Sequence, residues 1–254
     1  MSAAPQAPGR PGDGPQVEGS SMSFARAGRW LRALALLAVA AVLLLQLWYL
    51  GWIVLYRWVN PTETAFMVRE RARIEAARPG SGIRHTWVDY RAISPQLKRA
   101  VVAAEDARFI EHEGVDWEAI QKALEDNRKR RRPARGGSTI SQQLAKNLFL
   151  SPERSYVRKG QELVITYMIE ALWDKRRILE VYLNVAEWGD GVFGAEAAAR
   201  HYYRSSASRL GPEESARLAV MLPRPKFYDR SRGSEYLARR AAAILRYMDD
   251  VSIP

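Results

Sequence analysis

From Ala33 to Leu55 the chain runs for 23 residues without a charged side chain, with Gln46 as the main polar interruption. No other feature limits its fold so strongly. At about 1.5 Å per residue, a helix of that length crosses a bilayer core of roughly 30 Å. Trp30, Trp48, Tyr49, Trp52, Tyr56 and Trp58 gather toward the two ends, Trp48 and Tyr49 less neatly than the rest. Such side chains suit membrane interfaces. A cleaved signal peptide is the alternative, because Arg26, Arg29 and Arg32 form a basic n-region. The apolar run is longer than a typical h-region and no small-residue cleavage site follows it, so a retained anchor is expected. Three arginines precede the span closely, whereas Arg57 and then Arg69 follow it. The positive-inside rule therefore favours a cytoplasmic N-terminus and an exported remainder.

The anchor divides the rest of the chain. Residues 1–23 are rich in Pro, Gly, Ser and Ala without apolar periodicity, which predicts a disordered tail. The expected boundaries are a cytoplasmic tail over 1–29, the anchor over 30–58, a juxtamembrane segment over 59–93 and the main domain over 94–254. That domain is long enough to bury a core without staples, and the chain has no cysteine. The net charge is +11, from 39 Lys+Arg against 28 Asp+Glu. It points to an anionic partner without naming one. The densest run, Arg128-Lys129-Arg130-Arg131-Arg132 with Arg135 beyond Pro133, has neither interleaved aromatics nor a nucleic-acid-binding fold around it. Nucleic acid is not an expected partner. A solvated loop and a contact to anionic lipid headgroups both remain open.

Beyond the anchor the periodicity is almost wholly helical. A short helix is expected between Thr62 and Arg78, broken by Pro79-Gly80-Ser81-Gly82, then a short extended segment within 83–93. Ser94-Pro95 is an N-cap with proline at the first helical position. Asp116 caps a helix with Trp117, Ile120 and Leu124 on one side. The segment LVITYMIEALW, ending at Trp173, is apolar nearly all round, which predicts a helix in the centre of the domain. Asp174 restarts a helix with Ile178, Leu179, Tyr182 and Leu183. Gly189, Gly191 and Gly194 punctuate a tight loop before a small helix over Ala195–Tyr203. Another helix opens at Gly211-Pro212, and the last, about Ser234 to Met248, buries Leu237, Ala241, Ile244 and Met248.

The stretch GGSTISQQLAKNLFL at 136–150 is the most specific. Thr139 followed three residues later by Gln142 is a capping box. Ile140, Leu144 and Leu148 form an apolar stripe flanked by the i, i+4 pairs Gln142/Lys146 and Gln143/Asn147. Glycine backbone at a helix start, with a lysine one turn on, is suited to a phosphate through free N–H groups, the helix dipole and the cation. A capped amphipathic helix with a solvated polar face is the simpler alternative.

Two glutamates stand out. Glu105 shares a helix face with Leu97 and Val101. Desolvation there raises a carboxyl pKa, as a general acid or base near neutrality requires. Glu162 lies in line with Ile165 and Ile169, one turn after Arg158, so a helix-surface ion pair is its structural alternative. Two carboxylates, with cations to receive an anionic leaving group, describe glycosyl transfer from a diphosphate donor.

EDARFIEHEG at 105–114, GGSTISQQLAKN, RKGQE at 158–162 and KRRILEVYLNVAEWGDGVFGAEAAARHYY at 175–203 resemble the successive motifs of the peptidoglycan glycosyltransferases, family 51. With LPRP at 222–225 the likeness covers about Ser94 to Pro225. The resemblance implies an all-α, lysozyme-like catalytic domain with a smaller membrane-associated jaw, preceded by one transmembrane helix. It implies polymerisation of lipid II into glycan strands on the periplasmic face of the inner membrane. Glu105 is then the general base and Glu162 the second carboxylate, orienting groups or holding a cation near the diphosphate. Lys146 and Arg154 match diphosphate-neutralising positions. Ser138, Gln143, Asn147, Arg158 and Lys159 match further substrate-binding positions. No cofactor is required, and a divalent cation such as magnesium is left open. The implied partners are lipid II, the growing glycan chain, inner-membrane lipids and division or elongation proteins. No S-x-x-K or K-T-G motif is present, so the transpeptidase chemistry of bifunctional relatives is not expected. A glycan-cleaving lytic transglycosylase or muramidase and a non-enzymatic division scaffold are the competing readings.

Overall fold

The computed structural model describes residues 21–130, 137–153 and 155–254. Contacts divide the chain after Trp48. Helix α1 (Ser21–Tyr56) supplies all that is described of the first unit and the opening of the second. Its stretch Ala27–Tyr56 is long and apolar enough to cross a membrane, and Leu31, Leu34, Leu36, Leu37, Leu43 and Leu44 on it are exposed. Among the described residues no other helix meets that criterion.

The last two turns of α1, from Tyr49 on, belong to the second unit. Tyr49 and Ile53 are buried there, and Tyr56 stacks on Phe149. The end of the helix is held by side chains from elsewhere. Trp173 Nε1 donates to Ile53 O at 2.8 Å, and Arg177 donates to Tyr56 O through Nε (3.0 Å) and Nη2 (2.8 Å). These bonds occupy carbonyls that a helix C-terminus leaves unpaired.

The second unit continues with α2 (Ala65–Ala77), β1 (Arg84–His85), α3 (Pro95–Glu105), α4 (Trp117–Arg130), α5 (Ile140–Phe149), α6 (Tyr156–Leu172) and α7 (Lys175–Val185). Then follow β2 (Glu187–Gly189), β3 (Val192–Phe193), α8 (Ala195–Tyr203), α9 (Pro212–Met221), α10 (Pro225–Arg230) and α11 (Glu235–Leu245). The caps explain most of the starts. Thr64, Ser94, Ser155 and Asp174 each accept a backbone N–H with the side chain at the head of α2, α3, α6 and α7. Asp116 Oδ1 accepts from Ala119 N at the start of α4. Each such cap stabilises by about 1 kcal/mol.

The glycine-punctuated loop is a small hairpin. β2 and β3 pair antiparallel through a bulge, and β1 adds in parallel to β3, giving the order β1-β3-β2. Gly194 ends it at φ +84°, where a Cβ would lie 2.6 Å from Asn184 O, so only glycine lets α8 start against α7.

Helix α7, rather than α6, is central. Ile178, Leu179 and the whole run Val181–Val185 are buried. Helix α6 buries Glu162, Ile165, Thr166 and Ile169 but leaves Val164 and Tyr167 exposed, as well as Tyr156 (98%) and Val157 (85%) at its start. The expectation of a central α6 is thus corrected. All-round apolarity says that a helix avoids water, and a lipid-facing surface satisfies that as well as a core does. Trp117, expected on an apolar side of α4, is also exposed. Helix α7 packs on α5, α6 and α8, the pairs α5/α6, α3/α9 and α9/α11 also pack together, and Leu237, Ala241, Ile244 and Met248 are buried as the periodicity requires.

Candidate active site

Glu105 is the last residue of α3, and the backbone turns away directly after it. Asp106, the next residue, is buried and accepts two hydrogen bonds, from His112 Nε2 at 2.9 Å and from Ile140 N at 3.0 Å. His112 Nδ1 accepts from Gly114 N at 3.2 Å, so the ring presents its Nε2 to Asp106 as the donor. Gly114 has φ +87°, and a Cβ there would meet Thr166 Cγ2 at 2.7 Å. Its carbonyl accepts from Thr139 Oγ1 at 2.6 Å. The EDARFIEHEG segment is therefore a bracket that joins the end of α3 to the start of α5. Lys175 ties it to α7, donating to His112 O at 2.6 Å.

The capping box at the start of α5 is present in full, with Gln142 N bonded to Thr139 Oγ1 and Thr139 N bonded to Gln142 Oε1, both at 3.2 Å. One expectation changes as a result. The amides of Thr139, Ile140 and Gln142 already have partners, and the Ile140 partner is the Asp106 carboxylate. That helix start cannot offer these N–H groups to a phosphate. The cations lie farther along.

They line a cleft of about 610 Å³ with walls that include Ser138, Gln143, Lys146, Arg158, Lys159 and Glu162. Glu162 is buried and bonded by Arg158 Nη1 at 2.6 Å and Lys159 Nζ at 2.5 Å. Arg158 also donates to Glu153 O at 2.6 Å, and Lys159 reaches Ser138 Oγ at 3.4 Å. The i, i+4 ion pair is thus real, but it forms inside the cleft and not on a solvated face. Lys146 lines this cleft with Glu162 and also a neighbouring one that holds Glu105, and its Nζ lies 5.5 Å from the centroid of the Phe66 ring. Burial pulls its pKa down. Glu162 raises it, Arg158 and Lys159 lower it further, and Glu105 raises it.

A second cleft of about 410 Å³ has Glu105 on its wall and shares Ser138, Gln143 and Lys146 with the first; its far side carries Arg224, Tyr228, Tyr236 and Arg240. A third, of about 490 Å³, also opens on Glu105 and Ser138 and extends to Arg108, Glu118 and Lys122. Glu105, Ser138, Gln143, Lys146, Arg158, Lys159 and Glu162 are therefore brought together. Asn147 is half-buried on the same helix and lines none of these three clefts. Arg154, the basic residues 131–135 and the tail over 1–20 lie outside the described residues.

Both Glu162 oxygens are taken by cations, and among the described residues no group of three or more His, Asp or Glu could hold an ion. Asp106 and His112, which the EDARFIEHEG stretch sets near Glu105, join the site, as does Tyr182, which no motif singles out. Tyr182 donates to Gln143 Oε1 at 3.0 Å, and Gln143 Nε2 donates to Glu105 Oε2 at 2.7 Å. Its place on the apolar face of α7 marked it only as core. The order of the EDARFIEHEG motif was the one available signal for Asp106 and His112.

A family model described as Transglycosylase matches residues 72–249. The chain is 57% identical over 227 residues to the biosynthetic peptidoglycan transglycosylase of Dechloromonas aromatica, covering 89% of this chain and 98% of that protein. It is 58% identical over 226 residues to the protein of that name from Azoarcus sp., covering 89% and 97%. It is 54% identical over 237 residues to the one from Bordetella pertussis, covering 91% and 98%.

Proposed function

The chain belongs to the transglycosylase family, and from that premise we propose that it polymerises lipid II into peptidoglycan glycan strands by inverting glycosyl transfer, releasing undecaprenyl diphosphate. The observation that carries this reading is that the Glu105 cleft and the Glu162 cleft share Lys146, with Arg158 and Lys159 on the Glu162 side. One carboxylate faces the joined clefts as a base, and the other is neutralised within a cluster of cations.

Glu105 takes the proton from the 4-hydroxyl of the acceptor sugar. That oxygen bonds to C1 of the lipid-linked donor chain from the face opposite the leaving group. The C1–oxygen bond to the diphosphate breaks, and the electron pair leaves with the diphosphate. Lys146, Arg158 and Lys159 receive the charge as it develops, which is where fixed cations in a partly desolvated site act most strongly. Arg154 belongs to the same group by its place in the sequence. Glu162 holds Arg158 and Lys159 in position. Ser138 and Gln143, on the walls of both clefts, complete the substrate contacts.

The substrate keeps its lipid tail in the bilayer. Helix α1 anchors the enzyme in the inner membrane, and the three arginines before the span put the catalytic domain on the periplasmic side. The exposed Tyr156, Val157, Val164 and Tyr167 of α6 support a membrane-associated jaw. Division or elongation proteins are its proposed partners in the cell. A glycan-cleaving enzyme would have no use for three cations beside the second carboxylate.

Turnover of purified lipid II by the full-length protein in detergent tests the reading. Chain growth is expected, and cleavage of preformed glycan with no growth would overturn it. Glu105→Gln should reduce growth by about 10²–10⁴-fold, because the amide cannot accept the proton. Activity within a few-fold of the parent would remove Glu105 from the role.

A further inference from the structure

Three helices meet in a line of two hydrogen bonds. Tyr182 of α7 is fully enclosed, and its hydroxyl donates to Gln143 Oε1 at 3.0 Å. Gln143 of α5 then donates through Nε2 to Glu105 Oε2 of α3 at 2.7 Å. A side-chain amide is nearly symmetric in shape, and its two ends differ in one respect: one accepts and the other donates. Nothing in packing alone decides which end of Gln143 faces Glu105. If the amide turned over, its oxygen would oppose a carboxylate oxygen at hydrogen-bond distance, an arrangement tolerable only if Glu105 carried a proton.

We propose that Tyr182 is a positioning residue for glycosyl transfer: its hydroxyl sets the orientation of the Gln143 amide, so that Gln143 presents a donor to Glu105 and keeps the base ionised and in one rotamer. This rests on the reading of Glu105 as the base. It also changes the expected part of Gln143, from a contact to substrate to a contact to the base. Tyr182 suits the task because it stays a donor at every working pH. Burial, and after it the charges of Glu105 and Asp106, push its phenol well above the ordinary range.

Other charges face Glu105 and must be held constant in any test. Lys146 faces it from α5, and Asp106 follows it in the chain. Across the second cleft stand Arg224 and Arg240, with the phenols of Tyr228 and Tyr236. On the third cleft are Arg108, Lys122, Asp116 and Glu118. Tyr182→Phe leaves all of these in place and deletes a single oxygen.

The test is the pH dependence of lipid II polymerisation by full-length enzyme, Tyr182→Phe, Gln143→Ala and the double variant. Without its hydroxyl anchor the amide can turn its oxygen to Glu105, which favours the protonated carboxyl. The acid limb of kcat should therefore move to higher pH in Tyr182→Phe, by about one unit. At neutral pH kcat should fall by about tenfold, the worth of one well-placed hydrogen bond, with KM little changed. On the Gln143→Ala background, Tyr182→Phe should cost less than about twofold, because two groups acting through one path are not additive. An unmoved acid limb, or an equal loss on both backgrounds, would overturn the proposal and leave Tyr182 as core packing. Glu105→Gln, run beside them, separates this failure from the other. If it polymerises normally, the base assignment fails. If it is inactive while the limb stays put, only the relay fails.

Discussion

Ile140 N donates to Asp106 Oδ2 at 3.0 Å, so the residue after Glu105 holds the first amide of the helix that carries Gln143 and Lys146. Base and cation are thereby set by one junction. A carboxylate at a helix N-terminus is favoured by the dipole as well as by the bond itself.

Asp106→Asn should break that junction. Asparagine must present its NH₂ to one of two donors, His112 Nε2 or Ile140 N, and so leaves a buried donor unpaired. The expected cost is about 1–3 kcal/mol, or ~2–4 °C in Tm for each kcal/mol in a domain of this size. Polymerisation should fall although Glu105 and Lys146 are both intact. Calorimetry and lipid II turnover on the same preparation check both parts, and unchanged values would make the junction incidental.

Lys146 acts through its charge. Lys146→Met keeps the length and should lose as much turnover as Lys146→Ala. Burial draws the lysine pKa down, so the charge is lost on the alkaline side earlier than for an exposed lysine. Lys146→Arg, which stays charged, should extend the alkaline limb of turnover to higher pH. Full activity in Lys146→Met would return this residue to a passive role.

Glu187 gives a stability test away from the site. Its pKa is raised to about 7, first by burial, with Glu70 adding to the rise and Lys226 opposing it. Lys226 Nζ comes within 3.4 Å of Glu187 Oε1 but forms no aligned bond with it, being engaged by Glu70 at 2.5 Å. The folded state therefore binds a proton that the unfolded state has released once pH exceeds its ordinary carboxyl range. Stability contributed by this group is present below that range and is lost as pH rises to about 7. Glu187→Gln should raise Tm at pH 8 and have a smaller effect at pH 5. The reverse order in a pair of thermal melts would contradict it.

The end of α1 should be needed for folding. A chain beginning at Trp48 keeps Tyr49, Ile53 and Tyr56, whereas one beginning at Asn60 loses all three, leaves Trp173 Nε1 without its acceptor and takes the Tyr56 and Val59 carbonyls from Arg177, which keeps Asn60 Oδ1 and Glu180 Oε2. Burial of Ile53 alone is worth about 1.5–3 kcal/mol. Thermal melts in detergent should show the shorter chain markedly less stable. Equal melting points would mean that these contacts contribute nothing.

Local chemistry was legible in the residues alone. The caps at Ser94, Asp116 and Thr139, the helix start at Asp174, the apolar stripe of α5 and the buried face of α11 depend on neighbours three or four positions apart. A helix carries that information within one or two turns. The length of the apolar run was readable directly, and the motif order, with Glu105 and Glu162 in it, through its resemblance to the peptidoglycan glycosyltransferases.

Tertiary packing decided what lies far apart in sequence. It determined that α7 is enclosed while α6 keeps an exposed apolar face, because apolarity does not say whether core or lipid will cover a helix. It directed the first amide of α5 to Asp106 across 34 residues. It joined Tyr182 to Gln143 across 39 residues and Gln143 to Glu105 across 38. A hydrogen bond between helices depends on the angle at which they pack, and no spacing along a single helix encodes that angle.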